Sequence, residues 1–584
     1  MKRLLRILIL GSVIVAAFLP PAVTPATGML LGGSDGKASS FVFAPSPPHP
    51  PRGRRAAASQ ATSSRPVDVE NYIIELSLFP EANALAGTVT ISGRLTVPTQ
   101  TITIDAADNL VITGVLYNGA PSTFTRTSEE LAVTLPSVLA KNETFTITVS
   151  YRGQPRIIGR LGSGMFISSH GGFPVIATLS EPYGAPTWWP CIDDPADKAR
   201  AEIIVTVPSG YVVASNGLLQ RVHPNPDGTL SYVWQERYPI ATYLISVTAT
   251  NFAPFSDTYR ALDGTTTMPI LYYVYPEHLD DARRNFAPVK DAIRILAEMF
   301  GEYPFLAEKY GMAEFPWGGA MEHQTITSLG QSLVTSPNPL TTIVHELAHH
   351  WWGNMVTMKT WNDIWLNEGF ATYSEVLFYE KRDRTDPGAL MRRYDDGRAD
   401  GMLRGTVYAE DAADPWDDYR AIYNKGAWVL HMLRYVVGDE IFFAALREYG
   451  RRFAYANAST DDLKQVFSEF YGQSLDWFFQ QWVYAPRRPI YSLSTTVRRE
   501  GQNYQLRVRV EQKQTHTIPG REAARANVYI MPLDLAIGYA DGTSEIKRVW
   551  NDARVQEFRF TTSREPTAVT LDPRNWLLKE IADN

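Results

Sequence analysis

Ile343-Val344-His345-Glu346-Leu347-Ala348-His349-His350-Trp351-Trp352-Gly353-Asn354 holds two histidines four residues apart, with a glutamate beside the first. On a helix of 3.6 residues per turn, His345 and His349 share one face, so both rings can reach a single metal ion, with Glu346 next to it. His350 is turned by about 100° from His349 and faces elsewhere, so it is not expected as a ligand. A catalytic zinc takes a third protein ligand and keeps a position for water. Further along, Trp365-Leu366-Asn367-Glu368-Gly369-Phe370-Ala371 supplies that ligand. Glu368 follows His349 by nineteen residues, room to end one helix, turn, and open a second whose first turn faces the metal. His345, His349 and Glu368 are the expected ligands of one Zn2+ per chain. The arrangement points to hydrolysis, with Glu346 as the general base that takes a proton from water and hands it to the leaving amine. Read as structure alone, the same residues would be two core histidines and a surface acid.

Two more stretches bear on this reading: Gly319-Ala320-Met321-Glu322-His323 upstream and Tyr423-Asn424-Lys425-Gly426 downstream. With them the chain resembles the M1 zinc aminopeptidases, whose HExxH-x18-E signature, GAMEN exopeptidase motif and catalytic tyrosine before a Lys-Gly pair all have counterparts here. The likeness covers residues 66–490 and is weaker beyond. It implies that Tyr423 donates to the oxyanion, a role that tyrosine content alone would divide between Tyr423 and Tyr419. It also implies that Glu322, with Glu181 in Ser180-Glu181-Pro182-Tyr183-Gly184, grips the free α-ammonium of a peptide, so that cleavage falls one residue in. Glu181 stands ten residues before Cys191, as in the family, although the residues between depart from the family's pattern. Gly319, Ala320 and Met321 are the expected backbone partners of the substrate. His323 replaces the motif's asparagine, and Gly318 leaves room beside the first side-chain pocket.

At 584 residues the chain is too long for one core and three or four domains are expected. A hydrophobic content of 45% with 12% aromatics fits ordered domains. A net charge of −7 and the lack of a basic run in the folded region argue against nucleic acid as a partner. The single cysteine, Cys191, excludes an intramolecular disulfide.

In chain order, residues 1–28 read as an export signal. Lys2, Arg3 and Arg6 precede an apolar run from Ile7 to Leu19, which is shorter than the ~20 residues of a membrane span. No charge follows until Asp35 and no clean A-x-A site is present, so an uncleaved membrane anchor is the alternative. The expected location is therefore exported: secreted, periplasmic or attached to the cell envelope. Residues 29–65, rich in Pro, Ser and Arg, read as a flexible linker. From Val67, apolar and polar residues alternate, as in Tyr72, Ile74, Leu76 and Leu78, which indicates strands to about residue 255. The resemblance makes residues 66–255 a saddle-shaped β domain.

Residues 256–488 are mostly helical by pattern and fit a thermolysin-like catalytic domain. Helices are expected over Asp280–Phe300, Leu340–Asn354, Asn367–Lys381 and Lys425–Val437. Residues 489–584 alternate again, in Gln505–Val510 and in Val528–Ile530, and read as a C-terminal β-sandwich. The fold class is thus α+β and multidomain. Long members of the family continue into a large helical C-terminal domain, and ending at Asn584 makes this chain an expected short form.

The function these features imply is zinc-dependent removal of N-terminal residues from peptides with a free N-terminus. A thermolysin-like endopeptidase shares the two histidines and the distant glutamate but has no need of Glu322. A non-catalytic β-saddle scaffold would tend to lose the zinc residues, all of which stand here.

Overall fold

Alternation of apolar and polar side chains over Val67–Phe79 and Ala84–Leu95 produces two long antiparallel strands, with Tyr72, Ile74, Leu76, Val89 and Ile91 buried on the inner face. They sit inside an eight-stranded sheet in which Val67–Phe79 also runs parallel to Ala199–Val207. A five-stranded sheet that includes Ser163–His170, Phe173–Leu179 and Val247–Thr250 joins it, as does a three-stranded one built on Thr99–Asp105 and Glu130–Leu139. The described residues thus open with a β-rich domain. Cys191 is buried there as a free thiol. The computed structural model describes residues 65–398 and 400–582. The expected export segment or anchor (1–28) and all of the linker but Arg65 lie outside the described residues. Among the described residues, no helix is long and apolar enough to cross a membrane.

The helical domain opens on a sheet that helical periodicity does not announce. Ala253–Arg260, Thr267–Val274, Tyr310–Phe315, Thr327–Gly330 and Ala320–Met321 pair in that order, which leaves Ala320–Met321 at an edge. Every residue of Tyr310–Phe315 is buried, so the strand shows no alternation. The expected helix over 280–300 is two, Leu279–Asn285 and Val289–Phe300, divided at Pro288, whose ring disfavours helical geometry in the residue before it. Leu340–His349 is the helix of the histidine motif. It stops five residues short of the expected Asn354, where Gly353 takes a φ of 141° and the Asn354 N–H turns back to His349 O at 2.9 Å. Trp365–Asp383 and Gly426–Val437 complete the frame around the site.

Residues 490–581 form a four-stranded and a three-stranded sheet, with Leu506, Val508 and Val510 of the first and Leu533, Leu535 and Ile537 of the second buried. Val528–Ile530, expected as a strand, is irregular. Glutamine side chains take the place of a ladder, Gln512 Oε1 accepting from Tyr529 N at 2.8 Å and Gln481 Oε1 from Ile530 N at 2.9 Å. Further contacts join this region to the helical domain. Arg488, fully buried, pairs with Asp395 and Asp396, and Trp576 stacks on His431 with ring centres 4.5 Å apart.

Candidate active site

His345 and His349 lie one turn apart on Leu340–His349, and Glu368 stands in the first turn of Trp365–Asp383. Glu368 Oε2 is 3.3 Å from each Nε2 atom. The other ring nitrogens are held from outside: His345 Nδ1 lies 2.8 Å from Glu375 Oε1 and His349 Nδ1 lies 3.1 Å from Trp352 O. Both outer partners can only accept, so they favour the tautomer that leaves each Nε2 lone pair facing Glu368. Burial opposes a proton on His349, but Glu322 and Glu368 outweigh it and hold its pKa up at about 9. Glu368 is in turn held down at about 2: burial would raise it, and the two imidazoles prevail. Two imidazole nitrogens and one ionised carboxylate within 4.8 Å of one another fit a Zn2+ ion, whose charge would take the place of those protons. His350 faces away as expected, buried with Nδ1 2.8 Å from Tyr303 Oη.

Glu346 is buried beside the two rings, and burial pushes its pKa up to about 8 against the pull of His345 and His349. Glu322 and Glu181 arrive from opposite directions. Glu322 follows the edge strand Ala320–Met321, and its carbonyl accepts from Asn354 Nδ2 at 2.7 Å. Glu181 follows the strand Phe173–Leu179 of the β-rich domain, and its carbonyl accepts from Ser163 Oγ. Carboxylate oxygens of Glu181, Glu322 and Glu368 lie within 4.8 Å of one another. Among the described residues, Glu181 Oε1 and Glu322 Oε1 are buried with no hydrogen-bond partner. Burial first, and then the facing acids, raise the Glu181 carboxyl well above its ordinary value. Such a cluster suits a cationic guest.

The backbone of the edge strand is flanked by Trp317. A Cβ on Gly319 would lie 2.3 Å from its ring, so a side chain there would require the indole to shift, whereas a Cβ on Gly318 would meet nothing within 4 Å. Gly319 O already accepts from Gly330 N at 2.8 Å, and Ala320 and Met321 pair with Leu329 and Ser328. His323 is fully buried with Nδ1 2.8 Å from Ser328 Oγ, and burial depresses its pKa to about 3, so the ring is neutral.

Tyr423 lies in a π-helical turn, Ala421–Lys425, ahead of Gly426–Val437; one wide turn of this kind re-aims a side chain. Its ring lies parallel to that of His345, with centres 5.8 Å apart, while Tyr419 packs against the Arg420 guanidinium at 5.3 Å. Three residues after Tyr423, Gly426 meets Gly369 backbone to backbone.

Several supporting residues escape the motif reading: Glu375, Trp352 and Asn354, named above, and two more. Trp416 Nε1 donates to Tyr423 Oη at 3.4 Å. Lys198, half-buried and depressed to about 7 by desolvation of its ammonium, donates to Asn354 O and Met355 O at 2.9 and 3.0 Å. Only Glu375 carries a sequence signal, since it follows Glu368 by two helical turns and shares its face.

The family profile described as Peptidase family M1 domain matches residues 287–482, and that described as Peptidase M1 N-terminal domain matches residues 68–244. The Probable aminopeptidase 1 of Saccharolobus solfataricus is 26% identical over 418 residues, 68% of this chain and 50% of its own. The Aminopeptidase N of Haemonchus contortus is 28% identical over 473 residues, 72% and 46%. The chain thus spans about half the length of these relatives. Among solved structures, an M1 zinc metallopeptidase of Deinococcus radiodurans bound to a Tyr-Ser-Ala substrate superposes with a TM-score of 0.64 at 27% identity, covering 72% of this chain and 94% of that one. An aminopeptidase A of Legionella pneumophila, at 18% identity and a TM-score of 0.75, covers 89% of this chain and 60% of its own, a likeness of fold.

Proposed function

The chain belongs to peptidase family M1, and on that footing we propose that it is a zinc-dependent aminopeptidase that removes single residues from the N-terminus of peptides. The observation that carries the reading is the pair of buried carboxylate oxygens of Glu181 and Glu322 that have no hydrogen-bond partner, beside the His345–His349–Glu368 set. An endopeptidase has no use for them, whereas a peptide's α-ammonium supplies the donors and the charge they call for.

His345, His349 and Glu368 would hold the zinc. Bound there, the ion supplies Lewis acidity and lowers the pKa of water into the neutral range. Glu346, buried beside the rings, takes the proton of the attacking water and delivers it to the leaving amine. Tyr423, whose hydroxyl is kept protonated by burial, donates to the carbonyl oxygen as negative charge grows on it. The edge strand Ala320–Met321 can take the substrate backbone as a neighbouring strand. The sheets of residues 490–581 we read as the C-terminal β-sandwich, and the Lys2–Leu19 segment as an export signal, so that the peptides acted on lie outside the cytoplasm.

A hexapeptide with a free N-terminus should lose residues one at a time, and its N-acetylated form should react more slowly by about 30-fold to several thousand-fold, because acetylation leaves the two acids buried against a neutral cap. Internal cleavage of the acetylated peptide at the rate of the free one would replace this reading by the thermolysin-like one.

A further inference from the structure

Tyr423 does not stand alone at the site. Its oxygen accepts from the indole N–H of Trp416 at 3.4 Å. Trp416 is nearly fully buried and lies in the segment between Arg392–Tyr394 and Ala421–Lys425, in which the described residues before Tyr419 form no helix or strand. Around Trp416, two residues of the β-rich domain reach that segment. Arg160 Nη1 donates to Trp416 O at 3.0 Å, and Arg160 Nη2 reaches Asp417 Oδ1 at 3.2 Å. Tyr183, two residues after Glu181, donates its hydroxyl to Ala412 O at 2.8 Å. The Trp416 ring packs on Trp361, which meets Tyr183 edge-on. The next residue after Arg160 serves the opposite wall: Leu161 O accepts from Trp317 Nε1 at 3.1 Å, and Trp317 is the ring against which Gly319 of the substrate strand lies.

We propose that Trp416 is a positioning residue for Tyr423 and that Arg160, reaching across from the β-rich domain, sets Trp416. A phenol that accepts a hydrogen bond has that lone pair engaged, so its own O–H is left to point at the substrate. The incoming N–H also polarises the phenol, which makes it a stronger donor as charge develops on the carbonyl oxygen. One short stretch, Arg160–Leu161, then locks the oxyanion donor and the substrate strand in a single frame. The inference rests on the oxyanion role of Tyr423 given above, and the test separates the two.

The test is steady-state kinetics on an unblocked aminoacyl amide for W416F, Y423F, W416F/Y423F and R160Q, with binding of a phosphinic peptide that mimics the tetrahedral stage measured by calorimetry. W416F removes the donor and keeps an aromatic ring. The loss of one neutral hydrogen bond should lower its kcat about 3- to 10-fold, with KM changed less than about twofold. Affinity for the phosphinic peptide should fall by the same factor. In the Y423F background W416F should cost nothing further, since its partner atom is gone. R160Q, at a largely exposed side chain, should lower kcat in the same direction by a smaller factor, and it carries the test if W416F fails to fold. Wild-type kcat in both W416F and R160Q overturns the proposal, and so does an equal loss from W416F with and without the Tyr423 hydroxyl. Full activity in Y423F would remove the oxyanion assignment itself, and the positioning role with it.

Discussion

Gly369 and Gly426 touch through their backbones: a Cβ built on either would lie 2.9 Å from the other's Cα. Gly369 follows Glu368, the proposed metal ligand, and Gly426 ends the turn that carries Tyr423, the proposed oxyanion donor, so this contact sets how closely the two elements can approach.

Gly369→Ala should therefore behave against helix propensity. In an open helix the change would add up to about 1 kcal/mol of stability. Here the new methyl meets backbone, and overpacking of that kind costs about 1–3 kcal/mol. We expect a lower denaturation midpoint and a fall in kcat. A variant that is both more stable and fully active would show that the contact yields freely.

Glu375→Gln tests the outer support of His345. The carboxylate that accepts from Nδ1 at 2.8 Å also accepts from Tyr394 Oη at 2.6 Å, so it is held firmly. Losing its charge should weaken zinc binding about 10- to 100-fold in a chelator competition. Unchanged metal affinity would mean that the contact orients nothing.

Replacing His345, His349 or Glu368 by alanine should abolish both metal content and turnover. Glu346→Gln should retain zinc and lose turnover, because the ligands remain while the proton acceptor is gone. Metal analysis beside activity distinguishes the cases, and a Glu346→Gln enzyme near wild-type rate would refute the general-base role.

Tyr423→Phe deletes one hydroxyl and little volume, and kcat should fall about 10²-fold or more with a much smaller change in KM. Tyr419→Phe is the control, since that ring packs on Arg420. The opposite pattern would exchange the two tyrosines.

What could be read from the sequence follows from how local each feature is. His345, His349 and Glu346 depend on one helix turn, and Tyr72, Ile74 and Leu76 on strand alternation, so periodicity reaches them. The buried strand Tyr310–Phe315 has no polar face to alternate with, so it is silent in a reading by pattern. Glu181 and Tyr423 needed a family likeness, because each is brought to the metal ligands by chain far away in sequence. Trp416 had no signal at all: an irregular segment places it, and two of the residues that reach that segment, Arg160 and Tyr183, belong to another domain. Val528–Ile530 has the composition of a strand, but glutamine side chains satisfy its amides in place of a neighbouring strand.

The burial of Arg488 sets an order of events. Its guanidinium pairs with Asp395 and Asp396 at the head of the segment that carries Trp416, and it stands 93 and 92 residues later in the chain. Arg488 is the buried member and the two aspartates are half-buried; a buried guanidinium left without its carboxylates is strongly destabilised, by about 3–5 kcal/mol for a broken buried ion pair. During synthesis the proposed metal ligands therefore emerge well before the guanidinium that anchors the head of the wall beside them. Chains arrested short of Arg488 should turn over substrate more slowly than chains extended past it, because the segment that carries Trp416 then lacks that anchor.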